Sequence, residues 1–137
     1  MTRQEKYPET STFHYHNENP KNRITGDCVV RALARATEIP YNQVVMALAE
    51  LHCKTGYEST DKRTIDAFLK SQGWIMQRQP RKADGKKYTG EEFCKIFKTS
   101  RAVAMIGGHH TVAIVNGKVN DIWDSTDGCI GNYWVKR

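Results

Sequence analysis

No stretch of this sequence approaches the roughly 20 consecutive apolar residues that a helix needs to cross a bilayer, so a helical membrane anchor is not expected. Cysteine is scarce. The four present, Cys28, Cys53, Cys94 and Cys129, are widely spaced and never form C-x-x-C. With no H-E-x-x-H either, the familiar zinc spacings are excluded. The opening residues, MTRQEKYPETSTFHYHNENP, lack the apolar core of a secretory signal. Free thiols in a reducing cytoplasm are therefore the expectation. There is no internal repeat and no low-complexity segment.

The chain has 137 residues, of which 39% are hydrophobic and 26% charged. That suits one soluble domain with a real core. The formal net charge of +6 raises the question of an acidic partner such as nucleic acid. The excess is dispersed, however, and its densest run, residues 78–87, reads as a solvated loop. No aromatic-rich strand offers a surface for stacking bases. A nucleic-acid partner is not expected. His14-Tyr15-His16 forms an isolated H-x-H in a polar region, and neither a metal nor a cofactor is expected.

Residues 1–22 are polar and aperiodic, and read as an arm laid over the surface of a single domain spanning 23–137. From Gly26 a helical period begins, with Val29, Val30, Leu33 and Ala36 on one stripe and Thr25 or Asp27 as candidate cap. Pro40 opens a second helix from 41 to about 53, with Val44, Val45, Leu48 and Leu51 inward. Ser59 or Thr60 is expected to cap a third, from 61 to about 71, which buries Ile65, Phe68 and Leu69 and stops at Gly73. A strand starts at Trp74. A short helix after Thr89 turns Phe93, Ile96 and Phe97 inward. The last third reads as strands: 102–106, 110–115, 118–123 and 133–135. Asn116-Gly117 is a strong hairpin turn. Helices first and an antiparallel sheet second is an α+β order.

Two places can carry chemistry. Cys28 lies in the first turn of the first strong helix. Free N–H groups and the positive end of the helix dipole there stabilise a thiolate. The other three cysteines lack such a placement and read as packing or loop residues. In the hairpin, a two-residue turn pairs Val115 with Lys118, Val112 with Asp121 and His110 with Trp123. His110 and Asp121 then share a largely apolar face with Val112, Ile114 and Val119, where each needs a partner. An aspartate on one ring nitrogen leaves the other free as a base. His109 and Asp124 pair on the opposite, more polar face and form the competing assignment.

With those residues in place, a resemblance becomes specific. Gly26-Asp27-Cys28-Val29-Val30-Arg31-Ala32 resembles the nucleophile segment of small papain-like proteins of phage and bacterial genomes. Residues 110–125 are similar to their histidine hairpin. They are also similar to the hairpin of bacterial cell-wall endopeptidases, whose third polar residue falls where Asp121 stands. Bacteriocin-processing cysteine peptidases are more distant, and their pattern favours Asp124. The matched segments cover about a quarter of the chain. The resemblance implies a papain-like fold and acyl transfer onto Cys28, with His110 as general base. Asn22, six residues before Cys28, is the implied oxyanion-hole amide, where many relatives have glutamine. The backbone N–H of Cys28 would be the second donor. The implied substrate is an amide bond in a protein or peptide. The alternative is an inactive papain-like protein of phage type that binds and blocks a host factor.

Overall fold

Alanines and apolar residues recurring every three to four positions after Asp27 do make a helix, and it packs against a sheet assembled from both ends of the chain. The computed structural model describes residues 1–97 and 100–137. Among the described residues there are five helices and six strands. In chain order they are α1 (Arg3–Lys6), β1 (Phe13–Tyr15), α2 (Cys28–Thr37), α3 (Tyr41–Thr55), α4 (Lys62–Ser71), β2 (Trp74–Gln77), α5 (Gly90–Ile96), β3 (Arg101–Ile106), β4 (His110–Val115), β5 (Lys118–Asp121) and β6 (Ile130–Lys136). The architecture is a mixed α+β fold. No described helix is long and apolar enough to cross a membrane.

The sheet runs β1-β5-β4-β3-β6-β2. Asn116 and Gly117 both take positive φ, as a two-residue hairpin turn of this hand requires, and Val115 pairs with Lys118. Alternation along each strand divides the core into two layers. One layer packs Val29, Leu33, Val44, Leu48 and Ile65 from α2, α3 and α4 against Val103, Ala113 and Trp134. The other packs Phe13, Phe93 and Cys94 against Ala102, Ile106, Val112 and Ile114. The Trp134 indole N–H, within the first layer, donates to Asp66 of α4 at 3.0 Å. α2 crosses β4 and is the helix most closely applied to the sheet.

Several expectations need correction. The sheet is not wholly antiparallel, because β1 joins β5 in parallel, with His14 opposite Asn120 and Tyr15 opposite Asp121. Residues 1–22 are therefore not a loose polar arm. They carry α1, closed by a capping box between Thr2 and Glu5, and an edge strand whose Phe13 is fully buried. Three aromatics, Tyr7, Phe13 and Tyr15, scattered among polar residues make no long period to betray the strand, yet the open edge of β5 needs backbone partners. The cap of α4 is Asp61, which accepts from the Arg63 N–H at 2.8 Å, rather than Ser59 or Thr60. Val45 and Ile96, expected inward, are exposed. The return strand ends at Asp121, two residues before Trp123.

Phe13→Ala removes the fully buried side chain by which β1 reaches the core. It should lower stability by about 3–5 kcal/mol in urea unfolding, the range for a buried phenylalanine. A loss under about 1 kcal/mol would show that β1 adds little to the folded state.

Candidate active site

α2 begins at Cys28, immediately after Asp27. Asp27 holds the capping position but makes no side-chain cap. Its carboxylate is engaged elsewhere, by Arg31 Nε at 2.7 Å, the Tyr41 hydroxyl at 2.6 Å and Asn19 Nδ2 at 2.9 Å. The first N–H groups of α2 thus keep their positive end beside the sulfur without a side-chain acceptor.

Cys28 is half-buried, and the His110 side chain and the backbone N–H of Thr111 are the neighbours that lower its thiol most. His110 Nε2 lies 2.5 Å from Asp121 Oδ2. With Nε2 engaged there, Nδ1 is the ring nitrogen left for the sulfur. Asp121 is almost wholly buried, and its other oxygen accepts from Arg31 Nη1 at 2.5 Å and from the Ile122 N–H at 2.8 Å. The Trp123 ring lies 4.9 Å from the imidazole, centroid to centroid, and covers part of it.

The way these groups meet differs from the simple one-face reading of the hairpin. Val112, Ile114 and Val119 do pack together, but in the layer opposite α3 and α4. The β4–β5 ladder closes at Ala113 and Asn120. His110 and Asp121 lie beyond that last pair, at the open end of the ladder, and there they meet Cys28 and Arg31 of α2.

The electrostatics favour an ion pair. Burial opposes ionisation of Cys28, but hydrogen bonds from His110 and Thr111 and the positive charges of His110 and Arg31 outweigh it, and the thiol is held below its ordinary value. Burial likewise opposes protonation of His110, yet bonding to Asp121 and Cys28 lifts its pKa to about 9. Both shifts move the pair towards thiolate and imidazolium. Cys94 is the contrast: burial without a cationic partner pushes its thiol up to about 12.

Of the residues singled out from sequence, Cys28, His110 and Asp121 come together. Asn22 does not join them. It is exposed, with φ of 55°, and its backbone N–H and side chain are used in a turn with Asn19 and Asn17. Left-handed backbone suits asparagine, which explains its presence there. His109 is exposed at the turn before β4. Asp124 accepts from both the N–H and the hydroxyl of Thr126, at 2.9 and 2.6 Å, and so closes a local turn. His14 and His16 each have a carboxylate partner, Glu9 and Glu18. Among the described residues no group of three or more His, Cys, Asp or Glu is arranged to hold a metal ion.

A cleft of about 520 Å³ is walled by Gly107, Gly108 and Met105 of the β3–β4 side and by Gly131, with Lys62 and Lys87 among its polar groups; Cys28, His110 and Asp121 do not line it. Met105 pairs with Thr111, so the cleft lies across one strand from the groups that hold the sulfur. A second groove, of about 480 Å³, follows β2 at the far edge of the sheet and is remote from this chemistry.

Sequence reasoning missed Arg31. Its spacing from Asp27 is that of an i,i+4 helical ion pair, which was legible. Its second carboxylate, 90 residues further along, was not. In comparisons with known proteins, no family profile, curated protein or solved structure matches this chain.

Iodoacetamide at about pH 6, well below the ordinary thiol range, should alkylate Cys28 ahead of the exposed Cys53 and Cys129, as read by peptide mass spectrometry. His110→Ala should slow Cys28 by at least about tenfold, because a one-unit rise in thiol pKa has that effect on the thiolate fraction. Equal labelling of the three cysteines would contradict the ion pair.

Proposed function

We propose that this chain is a cysteine hydrolase of papain-like type, which cleaves an amide bond in a peptide or isopeptide through a thioester on Cys28. The observation that carries the reading is the meeting of Cys28, His110 and Asp121, with His110 bonded to Asp121 and beside the sulfur. Three further features support it. The cysteine opens a helix, the histidine and aspartate come from the two strands of a hairpin, and their order along the chain is that of papain-like enzymes.

The chemistry follows from the charges. The Cys28 thiolate attacks the substrate carbonyl carbon, and the oxygen becomes an oxyanion. The uncapped N–H groups at the start of α2, that of Cys28 first, are the donors available to it. Asn22, held in its surface turn, has no part in this mechanism. Collapse of the intermediate breaks the C–N bond, and the His110 imidazolium gives its proton to the departing amine. The imidazole, now neutral, takes a proton from water as the water oxygen attacks the thioester. A carboxylic acid leaves, and the thiolate–imidazolium pair is restored. Asp121 keeps the imidazole oriented and balances its charge throughout.

The test is turnover of a mixed peptide library followed by mass spectrometry, with Cys28→Ala as the blank. New termini that depend on Cys28, and a Cys28 acyl adduct trapped by acid quench, are the expected result. No cleavage and no adduct would leave a binding protein with this fold. Asp121→Asn should lower turnover by about 10²-fold or more, the scale of positioned acid–base catalysis. The alkaline limb of the rate profile should fall through about pH 9, where His110 loses the proton that the leaving amine requires.

A further inference from the structure

Arg31 is the least expected residue in the centre of this protein. It sits in the first turns of α2, among apolar neighbours, and its side chain is only 7% exposed. A buried guanidinium has no stabilising purpose of its own, since desolvation costs several kcal/mol before any partner is found. Arg31 has two partners. Nε faces Asp27 Oδ1 at 2.7 Å and Nη1 faces Asp121 Oδ1 at 2.5 Å. Asp27 is in turn held by Tyr41, the first residue of α3, and by Asn19, from the segment after β1. Three separate pieces of chain therefore converge, through one cation, on the carboxylate that touches His110.

We propose that Arg31 is a positioning residue for the reaction: it holds Asp121 by one oxygen so that the other is aimed at His110 Nε2. This rests on the hydrolase reading of the site. The geometry explains why the residue is arginine. A planar fork spans two carboxylates from one side chain, whereas the ammonium of lysine is a single point and satisfies one of them. It also explains why Asp27 leaves the end of α2 uncapped. Asp27 anchors the far side of the guanidinium instead, and its hydrogen bonds to Tyr41 and Asn19 fix the angle at which the fork meets Asp121.

Two roles for Arg31 make opposite predictions. If it were merely a nearby positive charge, its removal would make protonation of His110 easier. If it aims Asp121, its removal frees that carboxylate to turn or take up a proton, and His110 loses the bond that supports its charge. The other titratable and charged groups around the pair are Tyr41 on α3, Arg35 on the next turn of α2, and the His16–Glu18 pair, whose His16 N–H bonds the Asp121 carbonyl. All of these are unchanged by the substitutions below.

The experiment measures the His110 imidazole by NMR titration and the acid limb of Cys28 alkylation by iodoacetamide. The proteins are wild type, Arg31→Lys, Arg31→Met and the double variant Arg31→Met with Asp27→Asn. The double variant removes the carboxylate that Arg31→Met strands in the interior, so it remains available if the single variant fails to fold. The expected result is a His110 pKa in the double variant that falls from about 9 towards the ordinary value. With it, Cys28 alkylation near pH 6 drops by about tenfold, and Arg31→Lys lies between. A His110 value that rises or stays where it was, in a folded double variant, overturns the positioning role and leaves the hydrolase reading standing. A wild-type Cys28 with an ordinary thiol profile overturns the hydrolase reading, and the positioning role with it.

Discussion

The shared carboxylate of Asp121 is the constraint on which the centre of this protein depends. An ionised carboxylate that is almost wholly out of water is tolerable only when every lone pair is met. Here a guanidinium and a backbone N–H meet one oxygen and an imidazole meets the other. From Asp27 the charges alternate in sign through Arg31 and Asp121 to His110, beside the Cys28 thiol whose ionisation His110 and Arg31 favour. At an effective dielectric near 20, each neighbouring pair about 4 Å apart is worth roughly 4 kcal/mol before desolvation is subtracted. Alternation lets four charged groups occupy the junction of α2 with β4 and β5 with no net charge.

This arrangement also explains why one thiol of four is distinguished. Cys28 and Cys94 are both sheltered from water, and burial alone would silence either. The difference lies in what surrounds each sulfur. Cys94 is set among Phe93, Phe13 and the aliphatic residues of the second core layer. Cys28 has an imidazolium, a backbone N–H and a guanidinium nearby. A helix start by itself would be a weak reason to single it out.

Much of this was legible in the sequence, for identifiable reasons. The helices from Cys28 and Tyr41 follow from apolar spacing, and the β4–β5 register follows from Asn116-Gly117, since a two-residue turn leaves no freedom in the pairing. His110 and Asp121 were found through that register. What escaped has equally physical causes. The turn fixes the pairs next to it but not where the ladder ends, so the expected rungs Val112–Asp121 and His110–Trp123 are not formed although the partner of His110 was right. β1 is three residues long and pairs in parallel with a segment far away in sequence, and no local pattern encodes such a contact. Asn22 was placed by distance along the chain from Cys28, yet its left-handed backbone turns that stretch into a local loop.

The parallel pairing of β1 with β5 has a bearing on how the protein comes into being. Phe13 leaves the ribosome early, but its strand partner, Val119, is about a hundred residues behind it. Until that partner emerges, the amino-terminal segment has an aromatic ring with nowhere to go, and Arg31 sits in a nascent helix without its second carboxylate. Such distant contacts are slow to form, because the intervening chain must first be ordered. The surroundings that lower the Cys28 thiol therefore depend on contacts more than eighty residues apart in the chain. Until residues 110–121 have been made and folded against α2, the chain carries a Cys28 thiol without the partners that lower it.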